Sequence, residues 1–178
     1  MTFLATVVVT LVGLYLNRPR KPSEVKLVHV GEDVSITYQL NPQDIHSLWR
    51  NKVRTVVDIR PDGEEKGQPS SEEMQRAAKR ANVDFFYIPV PHDSIPDEAV
   101  AQLSDVLSTR ASPLTVLYCR TGRRAVRLYA LAEASRNDGP AVDEILKMVR
   151  DAGFVAEDLK DEIARRISLR NVSNIKAP

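Results

Sequence analysis

The chain's single cysteine, Cys119, closes an apolar run and opens "CRTGRR", so that Arg120, Thr121, Gly122, Arg123 and Arg124 follow it before a helical pattern begins. A thiol attacks as thiolate, and its ordinary pKa of about 8.5 must fall for that. The placing supplies the means. Residues 120–124 lead from a strand into a helix, where several backbone N–H groups have no helical partner and the helix dipole is positive. Gly122 permits a tight turn. Arg124 offers a planar, two-pronged donor that fits two oxygens of phosphate, sulfate or thiosulfate. The pattern suits covalent group transfer through Cys119 beside a tetrahedral anion. A lone cysteine is more often a buried structural residue. Here the arginines in the next five residues argue otherwise, because cations without anionic partners repel one another. Arg120 and Arg123, taken singly, also read as solvated surface charges.

Composition narrows the classes. Basic and acidic residues nearly cancel, 25 against 24 for a net charge of +1, so no global field favours nucleic acid. One cysteine excludes an intramolecular disulfide framework. His29, His46 and His92 are scattered without ligand spacing, so no metal site and no cofactor is expected.

The elements that must hold the cysteine loop follow from periodicity. The N-terminal "MTFLATVVVTLVGLYL" is uncharged and apolar, and basic residues come after it, at Arg18, Arg20, Lys21 and Lys26. It reads as a single-pass membrane anchor over 1–17, with the following domain in the cytoplasm. A linker and first strand take 18–32, an α/β domain 33–170, and a tail 171–178. Strands are expected at 25–30, 34–40, 53–59, 84–90 and 114–119. Helices alternate with them. One opens at Asn41 and Pro42, one is boxed by Ser70 and Glu73, one is capped from Ser94 and Asp97, and others cover about 122–136, 140–152 and 155–169. Alternation predicts a mostly parallel sheet flanked by helices, with ligands bound beyond the carboxyl ends of its strands. The loops starting at Arg60, Pro91 and Cys119 share that edge. Arg60 and Asp62 there read as a salt bridge, or as support for the site.

"CRTGRR", with "YQLNPQDIHSLWRNKVRTVVDIRPDGE", "GQPSSEEM" and "FFYIPV", resembles the bacterial phosphatase-like domain of the beta-lactamase-hydrolase-like family, also called DUF442, over about residues 33–150. The resemblance implies a fold like dual-specificity tyrosine phosphatases, Cys119 as nucleophile and Arg124 as oxyanion-binding arginine. It also implies a general acid in the loop after the fourth strand, where Asp93 stands at about the matching place, with Asp97 and His92 behind it. Two features depart from tyrosine phosphatases. Four residues rather than five separate Cys119 from Arg124, as in rhodaneses, and Ala125 replaces the hydroxyl residue that usually follows the arginine. The first expectation is a phosphatase working through a Cys119 phosphoenzyme on a small oxyanion or phosphoester, free or on a protein. A sulfurtransferase working through a Cys119 persulfide is the second, and a non-catalytic anion-sensing module the third.

Overall fold

The computed structural model describes residues 25–108 and 114–175. The expected anchor over 1–17 lies outside them. Among the described residues, no helix is long and apolar enough to cross a membrane.

Five strands form one sheet: β1 (Val28–His29), β2 (Val34–Thr37), β3 (Thr55–Asp58), β4 (Asp84–Tyr87) and β5 (Thr115–Tyr118). Their order is β1-β2-β5-β3-β4, parallel except for the β1–β2 pair. The last strand in sequence therefore lies in the centre, hydrogen-bonded on both sides. β2, β3 and β5 are wholly buried, which is why their runs are almost continuously apolar and β-branched.

Alternation along β5 divides the molecule into two cores. Val116 and Tyr118 point to one face, where α1 (Asp44–Arg50) and α2 (Ser71–Ala81) bring Ile45, Leu48, Met74 and Ala78. Leu117 and Cys119 point to the other, covered by α3 (Asp97–Ser108), α4 (Arg123–Ser135), α5 (Val142–Asp151) and α6 (Lys160–Ile175). Each large aliphatic side chain fully buried in these layers contributes about 1.5–3 kcal/mol. α4 is the axis of the second layer: of its 13 residues, all but Arg123, Arg127 and Ser135 are buried. A helix so enclosed holds its first turn firmly, and that turn follows Cys119.

The Ser70–Glu73 capping box forms as predicted. Three other helix boundaries differ from the expected ones. α1 begins at Asp44, because the Asp44 carboxylate reaches back to the Asn41 N–H (2.8 Å) and closes a turn over 41–44 first. α3 begins at Asp97 itself, whose carboxylate pairs with Arg166 on α6 rather than serving as a cap. α6 runs on to Ile175, beyond the expected 169.

Candidate active site

β5 ends at Tyr118, and the backbone is tied at once on two sides. The Ile59 N–H donates to the Tyr118 carbonyl (2.9 Å), and the Gln39 N–H to the Arg120 carbonyl (3.3 Å). Gly122 then takes φ +79° as the residue before α4. A Cβ there would stand 2.9 Å from a ring carbon of Phe154 and 3.0 Å from Ile36 Cγ2, so both conformation and space require glycine. Every other α-helix described carries an acid in its first turn; α4 carries none and opens with Arg123 and Arg124. Its positive end has no first-turn acid to offset it.

Cys119 is 1 % exposed. Beside it Arg124 is 7 % exposed and fully oriented. Its Nη1 donates to Glu64 Oε1 (2.6 Å) and to the Val90 carbonyl (2.8 Å), and its Nη2 donates to Glu64 Oε2 (2.8 Å). A guanidinium has five N–H donors in a fixed fork. The two that remain, on Nε and the outer side of Nη2, form a side-on edge of the kind that suits a two-oxygen acceptor, and the guanidinium interacts with the Cys119 sulfur. Burial pulls the Arg124 pKa down, yet the Glu64 hydrogen bonds and Cys119 carry it above its usual value, so the charge is secure. The Arg124 hydrogen bond in turn holds the Glu64 carboxyl at about 2, against the opposing effect of burial.

Glu64 was not singled out by sequence. It comes from the loop after β3, and the signal available was a Glu64–Glu65 pair in a glycine-containing loop on the functional edge. Arg60 does not pair with Asp62, as expected, but with Glu64 (Nε–Oε2, 2.9 Å) and Glu65 (Nη2–Oε2, 3.1 Å), and it also donates to Gln39 Oε1 (2.7 Å). Asp62 is engaged elsewhere. Its two oxygens accept from the Ser71 N–H (2.7 Å) and hydroxyl (2.6 Å), pinning the loop to the start of α2. Arg60 thus buttresses the residue that orients Arg124, whereas Asp62 only fixes the loop's far end. Under the loop, burial raises the Asp58 carboxyl to about 6, although the facing Tyr118 hydroxyl and the Arg60 N–H pull it down.

A cavity of about 380 Å³ opens over the cysteine loop, lined by His92, Arg120, Thr121, Arg123, Arg124 and Arg127. Cys119 itself is buried and is not among the lining residues. Asp93 is exposed in the loop after β4 and does not line the cavity, whereas its neighbour His92 does, with Nε2 3.6 Å from Glu64 Oε1. Sequence reasoning also missed Arg127. It stands one turn along α4 from Arg123 and is held by Asp158 (2.7 and 2.6 Å). A larger hollow of about 730 Å³ at the other end of α4 is lined by no thiol. No cluster of metal-ligating side chains occurs among the described residues.

A buried cysteine at the carboxyl end of the central parallel strand, an arginine turned toward it from the next helix and α/β layers on both faces make the fold that of tyrosine-phosphatase-like proteins. The chain belongs to the family described as "Beta-lactamase hydrolase-like protein, phosphatase-like domain", whose model matches residues 26–136. Beta-lactamase hydrolase-like proteins of Xylella fastidiosa strain Temecula1 and Agrobacterium fabrum are 33 % and 32 % identical over 109 and 110 residues, 61 % and 62 % of this chain. The matched region spans 25 % of the length of each of those relatives. A crystal structure from Neisseria meningitidis, provisionally assigned as a phosphatase, superposes with a TM-score of 0.65 at 27 % identity, over 78 % of this chain and 96 % of that one. The catalytic core of the yeast PP-IP phosphatase Siw14 shares the fold at 16 % identity and a TM-score of 0.56, over 82 % and 92 % of the two chains.

Proposed function

We propose that the domain is a phosphatase that works through a covalent Cys119 intermediate. The observation that carries this is the pose of Arg124: both ends of its fork are fixed by Glu64 and Val90, and the guanidinium also engages the Cys119 sulfur. An oxyanion bound on that edge and on the 120–124 N–H groups would place its phosphorus in line with the Cys119 sulfur. Attack forms the S–P bond as the ester P–O bond breaks, and the leaving alkoxide takes a proton. Water then attacks phosphorus, releasing inorganic phosphate and the thiolate. The proposed acid is Asp93, on the segment whose His92 already reaches the cavity; catalytic contacts often tighten only when substrate is bound.

Sulfur transfer is the second reading, and two observations favour it. No carboxylic acid lines the cavity, and Ala125, fully buried, offers no hydroxyl to assist the second step. A sulfane sulfur passing from thiosulfate to Cys119 needs neither, because sulfite leaves already anionic.

Mass spectrometry of Cys119 trapped after exposure to a phosphoester or to thiosulfate distinguishes them. A gain of one phosphate is expected. A gain of one sulfur from thiosulfate alone reverses the order of the two readings, and no adduct from either leaves a non-catalytic anion module.

A further inference from the structure

We infer that the compound turned over at Cys119 carries a second phosphate, seated at the cavity rim against Arg123 and Arg120. This rests on the phosphatase reading and narrows its substrate to small molecules with two or more phosphates.

Some of the cations around the cavity hold a carboxylate by both its oxygens, and others share one that a neighbouring arginine already holds. Four of the six lining residues are arginines, and no Asp, Glu, Phe, Tyr or Trp among the described residues lines the cavity. Arg124 is matched by Glu64 and Arg127 by Asp158, each through two short hydrogen bonds. Arg120 reaches an acid only at 3.7 Å, and that acid, Glu65, already accepts from Arg60 at 3.1 Å. Arg123 is exposed, and the acid it acts on, Asp158, is already held by Arg127 through two hydrogen bonds. The cradle and Arg124 suffice for one phosphate. Two further guanidiniums therefore face the same hollow with only shared acids, Glu65 and Asp158, to offset them, and like charges so placed repel unless a ligand supplies more counter-charge.

The lining also sets what the rest of the ligand is. A phosphotyrosine needs a flat apolar slot for its ring, and none of the six side chains offers one. At about 380 Å³ the hollow stands near the small end of ligand pockets, which run from about 300 to 1,000 Å³. A compact, hydroxylated carbon skeleton bearing separated phosphates fits both facts.

The test uses α,ω-diol bisphosphates with two, four and six carbons, each against the monophosphate of the same diol. Calorimetric binding to the Cys119→Ser protein needs no turnover. At least one bisphosphate should bind about 10-fold or more tighter than its monophosphate, the worth of one charge-assisted contact near 1.4 kcal/mol. That ratio should fall toward one in Cys119→Ser proteins also carrying Arg123→Gln or Arg120→Gln, both exposed positions. A ratio near one at every length, a ratio unmoved by both glutamines, or equal affinity for a phosphoserine peptide overturns the inference. Turnover by the unmodified protein is read separately. If no phosphoester is cleaved while the binding ratio stands and collapses as described, the phosphatase reading fails and the second anion subsite is kept.

Discussion

Glu64 and Arg124 are 60 positions apart in the chain and meet fork to fork, at 2.6 and 2.8 Å. The contact joins the loop after β3 to the first turn of α4 across the carboxyl edge of the sheet. It also decides which edge of the guanidinium remains for a ligand. Arg60 on Glu64 Oε2 makes the arrangement a chain of three charged groups, with Glu65 on the second prong of Arg60.

Glu64→Gln should leave Arg124 charged but less firmly turned. We expect kcat/KM for phosphoesters to fall about 10- to 100-fold, the scale of one to two charged hydrogen bonds. Phosphate affinity, measured in the Cys119→Ser background, should drop with it. Unchanged affinity with a lower urea midpoint would mean that Glu64 only supports the fold.

Arg124→Lys keeps the charge and loses the fork. An ammonium cannot hold Glu64 with two prongs and present a side-on edge at once, so transition-state binding should weaken by about 1.5–3 kcal/mol. Steady-state kinetics of Arg123→Lys provides the comparison: equal losses at both positions would show that the two arginines share one role.

Stability should respond to pH in two opposite ways. Glu64, held down to about 2 from 4.5, contributes stability that is complete above about 4.5 and is lost as pH falls toward 2. Asp58, raised by burial from 3.8 to about 6, works in reverse: its folded state prefers the proton, so stability falls as pH rises through 3.8 to 6. Urea midpoints followed from pH 3 to 8 should show both slopes. In Asp58→Asn the decline between pH 4 and 6 should vanish, while the acid loss below 4.5 persists.

Gly122→Ala places a methyl against Phe154 and Ile36 at a left-handed φ. Overpacking alone costs about 1–3 kcal/mol, and backbone strain at that φ adds to it. Chemical denaturation should show the loss, and adding Phe154→Leu should recover part of it. If Phe154→Leu recovers nothing, the backbone strain rather than the contact is the obstacle.

Asp93→Asn should slow alkyl phosphates by about 10²–10⁴-fold and aryl phosphates with good leaving groups only slightly, because only the poor leaving group needs a proton. His92→Gln is the control on the same loop. If it produces that selective loss and Asp93→Asn does not, the proton comes from the imidazole lining the cavity.

Much of this was legible along the chain. β-branched runs such as "VRTVVDI", the Ser70–Glu73 box and the passage from "LTVLYC" into a helix report local backbone preferences, and these need no distant partner to act. The nucleophile candidate and its arginine were legible for the same reason, since cysteine, turn and helix start lie within six residues.

Partners were not legible. Arg60 had Asp62, Glu64 and Glu65 within five residues, and spacing alone favoured the nearest; the loop's turn at Gly63 (φ +76°) and the pull of Ser71 on Asp62 chose the other two. Asp97 similarly left its cap for Arg166 because α3 and α6 cover the same sheet face.

The amino-acid sequence by itself determined the kinds of element, their order and the loop able to cradle an anion, because those depend on residues that are neighbours in the chain. Only the tertiary structure decided that β5 runs between β2 and β3, and so that Gln39, Glu64 and His92 meet the cysteine loop. Strand order is settled by burying both faces of the sheet at once, and charge pairing follows from whichever loops that order brings to one edge.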